Sequence, residues 1–116
     1  MHKGLYIPLD YKTKGSAPRE GDSERYYQTQ LDTYALLVNA NGFPVADHAY
    51  LVYYFPKRVE QGGVVHFVVR PVRVATDLKR AERRFESAVK LLHGPIPKHH
   101  SGCEYCSWSR SRAEFE

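Results

Sequence analysis

Cysteine, tryptophan and methionine are scarce in this chain: two, one and one in 116 residues. Two cysteines cannot staple a small fold, so stability has to come from a packed core, and this length builds one core rather than two. No apolar run is long enough to cross a bilayer. The opening Met1-His2-Lys3-Gly4 does not read as a signal peptide. These absences point to a cytoplasmic protein with no membrane partner, a setting in which Cys103 and Cys106 stay reduced. A metal or a free thiol pair then suits them better than a structural disulfide. Internal repeats and low-complexity segments are also lacking. Hydrophobic residues make up 42% and charged residues 26%, as in ordinary globular chains. Nine tyrosines are many for the length and imply an aromatic core or stacking surfaces. The net charge of +4 tilts mildly toward an anionic partner, nucleic acid before membrane.

Residues 5–13 read as a strand, with Leu5, Ile7 and Leu9 alternating with Tyr6, Pro8 and Asp10. A loop rich in Gly, Pro, Ser and charge follows over 14–22. Asp22 or Ser23 can cap a helix to Ala40, with Tyr27, Leu31, Tyr34 and Val38 as its apolar stripe. Asn41-Gly42 stops it, Gly42 suiting a left-handed C-terminal cap. Residues 48–55 are apolar on both faces and read as a central, doubly covered strand ended by Pro56-Lys57-Arg58. After a turn at Gln61-Gly62-Gly63, residues 64–74 form a strand antiparallel to it, with Pro71 at an edge or bulge. Thr76 or Asp77 caps a helix over 78–93. Its buried face is predicted to be Leu78, Ala81, Phe85, Ala88, Val89 and Leu92. Lys79, Arg80, Arg83 and Arg84 form an exposed basic face suited to a phosphate track. Gly94-Pro95 ends this helix. Residues 95–116 make a polar Cys/His tail in which no strand leads into Cys-x-x-Cys and no helix is predicted after it, which speaks against a thioredoxin-type redox pair. The whole is one α/β domain, 1–116, of order β-α-β-β-α plus tail.

Two spacings carry chemistry. A period of two puts Asp10 and Lys12 on one face of the first strand. As an exposed ion pair they contribute roughly 0–1 kcal/mol; as a site they offer an oxygen ligand for a hard cation and an ammonium for a phosphate or water. Gln30 and Tyr34, four apart, share a helix face, where an amide and a phenol can hydrogen-bond a phosphate or each other. In the tail His99, His100, Cys103 and Cys106 are candidate zinc ligands, although the histidines lie too close for the usual finger spacing.

An apolar strand ending in Asp10-Tyr11-Lys12, a loop, and a helix with Gln30-x-x-x-Tyr34 running to a Gly stop resembles the RecB-type branch of the PD-(D/E)XK nuclease superfamily. Residues 49–56 (AYLVYYFP) resemble that branch's next core strand, and Gly102-Cys103-Glu104-Tyr105-Cys106-Ser107-Trp108 resembles its cysteine tail, as in CRISPR-associated RecB-type exonucleases and AddB-type nucleases. The resemblance runs from Leu5 to Trp108. It implies a restriction-endonuclease-like core and metal-dependent hydrolysis of DNA, single-stranded or with an end. Asp10 would be a carboxylate ligand of Mg²⁺ or Mn²⁺, with the Tyr11 carbonyl a further ligand. Lys12 would orient or activate the attacking water and offset charge at the phosphate; Gln30 and Tyr34 would organise the site and contact the backbone. The chain departs from that pattern twice. The upstream metal-binding Asp and the core strands before Asp10 are missing, so the chain reads as a partial nuclease domain needing an N-terminal segment or a partner subunit. Two cysteines exclude a four-Cys iron–sulfur cluster within one copy and leave zinc or a vestigial cluster motif at Cys103 and Cys106. The alternatives to a nuclease are a non-catalytic nucleic-acid-binding or scaffolding module derived from one, and a small module whose tail is clipped by a structural metal.

Overall fold

The computed structural model describes residues 3–113; Met1, His2 and the last residues of the tail, 114–116, lie outside them. The chain divides into two compact units, Met1–Phe85 and Glu86–Glu116. The first unit carries β1 (Leu9–Thr13), α1 (Asp22–Ala40), β2 (His48–Val59), β3 (Val65–Ala75) and the start of α2 (Leu78–Leu92). The sheet order is β1-β2-β3, with β1 parallel and β3 antiparallel to the central β2. Parallel neighbours need a crossover, and α1 supplies it.

The expected β-α-β-β-α order is present, with three local corrections. The first strand is shorter than 5–13. Tyr6 makes an isolated parallel bridge to Val45, but the ladder becomes continuous only at Leu9. Pro8 interrupts it, having no N–H to donate; its carbonyl still accepts from the Tyr50 N–H at 2.9 Å. Conversely, β2 does not end at Pro56: it runs on to Val59 with a bulge between Pro56 and Arg58. The Tyr50 and Tyr54 backbone groups bond toward β1, so by alternation the Pro56 nitrogen points the same way. There β1 has already stopped, and no ladder bond is lost. Pro71 sits in edge strand β3, opposite Val52.

The helix cap is the third correction. The N-cap of α1 is Gly21, whose φ of 79° is left-handed, rather than Asp22 or Ser23. Asp22 instead accepts from the Arg19 N–H at 3.1 Å and from Lys14 at 3.2 Å. These two partners hold its carboxyl below the ordinary range. At the other end Gly42 takes the predicted left-handed conformation.

α1 covers one sheet face. Leu31 packs on Ala49, Leu51, Tyr53, Phe55 and Val74, flanked by Tyr27 and Tyr34, so the predicted stripe is the core-facing one. The far face is less covered than predicted. Tyr50 and Tyr54 there are half-buried, while Leu9, Tyr11, Phe67 and Val69 are exposed. Tyr53 is fully buried and shares a 2.9 Å hydrogen bond with the hydroxyl of buried Ser23. Tyr53→Phe strands that hydroxyl and is expected to cost about 1–3 kcal/mol in urea denaturation; an unchanged midpoint would show that the bond contributes nothing.

In α2, Asp77 is the cap, accepting from the Arg80 N–H at 3.1 Å. The predicted buried face holds only at its start: Ala81 is buried and Leu78 half-buried, but Phe85 is 69% and Leu92 83% exposed. The second unit contains an unpredicted helix, α3 (Glu104–Ala113), which begins between the two cysteines. Glu104 in its first turn and Arg110 and Arg112 in its last suit the helix dipole.

Candidate active site

The register of β1 on β2 decides which face of β1 points inward. Asp10 and Lys12 stand beside Leu51 and Tyr53, whose side chains lie under α1. The charged side of β1 is therefore turned toward the helix, and its apolar side, Leu9 and Tyr11, faces out. This reverses what alternation alone suggests. The Asp10 and Lys12 side chains are 22% and 20% exposed.

Four of the predicted residues form one connected chain. Lys12 Nζ lies 2.7 Å from Asp10 Oδ2. It donates to Gln30 Oε1 at 3.0 Å, and Gln30 Nε2 donates to the Tyr34 hydroxyl at 2.6 Å. An ammonium can only donate, so it fixes which way the Gln30 amide points. That in turn makes Tyr34 an acceptor toward Gln30 and leaves its own O–H to donate elsewhere. Contact with the Asp10 carboxylate, opposed by burial and aided by charge, raises the Lys12 pKa above its ordinary value.

Asp10 itself is incompletely satisfied. Its Oδ2 is buried, and the close approach of Lys12 is a charge contact without the direction of a hydrogen bond. A buried carboxylate oxygen with a free lone pair suits a hard cation. The Tyr11 ring lies on the opposite face, against Tyr54 at 5.9 Å. Its carbonyl is placed differently: Pro8 and Lys14 bond their backbones to β2, so alternation turns the Tyr11 carbonyl to the open edge of β1, free for a ligand. The donor set stops there. Among the described residues no group of three His, Cys, Asp or Glu side chains could hold a metal ion.

Two further residues, Tyr27 and Lys14, shape the site, and a third, Asp32, anchors α1 to the start of α2. Tyr27 places its ring under the Lys12 ammonium, 4.5 Å from Nζ to the centroid. Its place in the apolar stripe concealed this. Lys14 continues the charged face of β1, pairs with Asp22 at 3.2 Å and lies 5.9 Å over the Tyr53 ring. Asp32 is fully buried. Its Oδ1 accepts from Gln28 (3.0 Å), the Asp77 N–H (3.0 Å) and Arg80 (2.9 Å), and Arg80 Nε reaches Oδ2 at 2.5 Å. Gln28 also donates to the Ala75 carbonyl at 2.8 Å. The only sequence signal for this anchor is an Asp inside an amphipathic helix, four residues after Gln28.

The predicted basic face is thus divided. Arg80 is tied to Asp32, whereas Lys79 and Arg84 are exposed; Arg83 is exposed as well and has an interaction of its own. Cys103 and Cys106 lie in the other unit, as partly exposed free thiols.

The sequence model of the PD-(D/E)XK nuclease superfamily matches residues 2–111. No curated protein and no solved structure matches the chain. The parallel β1–α1–β2 unit, the antiparallel β3 and the Asp-x-Lys face turned toward the Gln-x-x-x-Tyr helix are consistent with a restriction-endonuclease-like core. With a match over nearly its whole length, the chain belongs to the PD-(D/E)XK nuclease superfamily.

Proposed function

We propose that this chain is part of a RecB-type, metal-dependent deoxyribonuclease, and that its contribution to catalysis is the Asp10–Lys12–Gln30–Tyr34 chain. The observation that carries this is a carboxylate whose buried Oδ2 lacks a hydrogen bond, in charge contact with an ammonium that hydrogen bonds anchor through Gln30 to Tyr34. Asp10 and the Tyr11 carbonyl would hold Mg²⁺ or Mn²⁺, which supplies Lewis-acid polarisation of the phosphate and an activated water. Lys12 offsets charge growing on the scissile phosphate. Gln30 keeps the ammonium from swinging away, and the Tyr34 O–H is left to meet a DNA phosphate. Lys79, Arg83 and Arg84 offer exposed charge for the nucleic-acid backbone, and single-stranded or end-containing DNA is the proposed substrate.

One carboxylate is a half site. The remaining metal ligand is proposed to come from another segment or a partner subunit. The lack of a three-donor group among the described residues also favours a second role, a non-catalytic nucleic-acid-binding module. Cleavage assays on single-stranded and nicked DNA, with the segment or partner that supplies the remaining ligand restored and with and without Mg²⁺ or Mn²⁺, separate the two. The nuclease assignment expects divalent-dependent cleavage that Asp10→Ala abolishes, by a factor of about 100 or more. Salt-sensitive binding with no cleavage in any divalent ion, unchanged by Asp10→Ala, would instead establish the binding module.

A further inference from the structure

The cysteine tail has a geometry that its composition does not disclose. Cys103 stands immediately before the ten-residue helix α3, and Cys106 lies in its first turn. The Ser107 N–H donates to the Cys103 carbonyl at 3.0 Å, and the Cys106 N–H donates to Cys103 Sγ at 3.4 Å. Cys103 is therefore the N-cap of α3, with its sulfur folded back over the turn that carries Cys106. Both thiols are free and partly exposed.

The donors around them do not suit a metal. His99 Nε2 faces the Arg110 guanidinium at 3.1 Å, and its Nδ1 meets the His100 carbonyl at 3.1 Å. His100 Nδ1 accepts from the Gly102 N–H at 3.0 Å. These nitrogens are engaged, and no third donor completes a site among the described residues. A tetrahedral zinc site needs at least three protein ligands. What the tail does present is two sulfurs three residues apart at the start of a helix. Side chains at that spacing lie about 5–6 Å apart at Cβ, roughly 1–2 Å more than a disulfide spans. A small adjustment of the first turn closes that gap.

We propose that Cys103 and Cys106 form a thiol–disulfide exchange site for low-molecular-weight disulfides of the glutathione type, with Cys103 attacking and Cys106 resolving. In the first step the Cys103 thiolate bonds to one sulfur of the disulfide. The original S–S bond breaks, and a thiolate leaves and takes a proton from water. In the second step Cys106 gives its proton to solvent and attacks the Cys103 sulfur. The Cys103–Cys106 bond forms, and the second small thiol leaves and is protonated. Two electrons pass from the protein dithiol to the small disulfide, which is reduced to two thiols.

The division of roles follows from the cap. The Cys106 N–H, and then the Cys106 thiol, hold the Cys103 thiol below its ordinary range. The bond to Cys103, with burial and charge, pushes the Cys106 thiol up. The attacking sulfur is the one whose thiolate the helix N-terminus stabilises.

The test uses the full chain, equilibrated with mixtures of reduced and oxidised glutathione, quenched with acid and mapped by peptide mass. The expected products are an internal Cys103–Cys106 disulfide in the wild type and a glutathione mixed disulfide on Cys103 in Cys106→Ser. In the native chain, timed alkylation at neutral pH is expected to label Cys103 faster than Cys106, on the order of ten-fold. That comparison needs no variant to fold. Equal labelling rates, failure to close the internal disulfide, or zinc or iron bound stoichiometrically with both thiols protected would each overturn the proposal. None of these outcomes bears on divalent-dependent cleavage.

Discussion

Lys12→Met is expected to lower the rate of divalent-dependent cleavage by about 10²–10³-fold, the usual loss when one preorganised stabiliser of transition-state charge is removed. Methionine keeps the length and apolar body of the side chain and deletes only the ammonium. The Tyr27 ring and the core beneath α1 stay packed, while Asp10 and Gln30 lose their shared partner. The ion pair is partly exposed, so the change in folding stability is expected to be small, about 1 kcal/mol or less. DNA binding is also expected to change little, because one cation among several is lost. The signature is therefore a fall in kcat with a nearly unchanged KM and melting temperature. Gln30→Leu tests the same chain one step further out and is expected to give a smaller loss, roughly ten-fold, since the ammonium remains but is no longer held. Both measurements require a preparation that cleaves DNA in Mg²⁺ or Mn²⁺. Wild-type rates in Lys12→Met would remove Lys12 from the mechanism.

Arg80→Ala is expected to destabilise the first unit by about 3 kcal/mol, far more than loss of a surface arginine. Asp32 is fully buried, and the substitution leaves its carboxylate with Gln28 and the Asp77 N–H but no counter-charge. The value sits at the low end for a broken buried pair because the Arg80 side chain is itself 38% exposed. The double variant Asp32→Asn/Arg80→Ala is expected to recover part of the loss, since it removes the stranded charge. Acid titration gives a second check. Burial would raise the Asp32 pKa, but Arg80, the Asp77 N–H and Gln28 outweigh it and hold the carboxyl below its ordinary value of 3.8. A depressed folded pKa contributes stability that is fully present above 3.8 and lost as pH falls through the folded value. In the wild type this contribution is kept until the pH drops below the ordinary carboxylate range; in Arg80→Ala the loss should begin at higher pH. Denaturant midpoints at neutral pH and along an acid series measure both effects. If Arg80→Ala unfolds like wild type, the forked pair does not anchor α1 to the start of α2.

Much of this was legible from local chemistry. The Tyr27, Leu31, Tyr34 and Val38 stripe has helical spacing; Leu31 is buried in the core, Tyr27 and Tyr34 pack against it, and Val38 is half-buried. Gly42 takes the left-handed conformation predicted for it, and Pro71 lies on an edge. Spacing put Asp10 with Lys12 and Gln30 with Tyr34, because periods of two and four are properties of the backbone itself. Other features depend on what stands next to a residue in space. Pro56 could continue β2 only because β1 ends first. Phe85 and Leu92 have the apolar pattern of a buried face, yet both are exposed. Arg80 reads like Lys79 in sequence and differs from it only because Asp32, 48 residues away, meets it.

The sequence by itself determined the element order, the pairings of residues within each element and the superfamily to which they point. It did not show that the Asp10–Lys12 side of β1 faces inward, since apolar alternation favours the Leu9 side and nothing local marks the helix that covers the other. Tertiary structure decided that. By laying α1 over Leu51 and Tyr53, it turned Asp10 and Lys12 inward, joined them to Gln30 and Tyr34, and placed Tyr27 beneath the ammonium. The pair stays partly exposed and contributes little to stability, but the cover of α1 holds it as a fixed charge at a carboxylate oxygen that lacks a hydrogen bond.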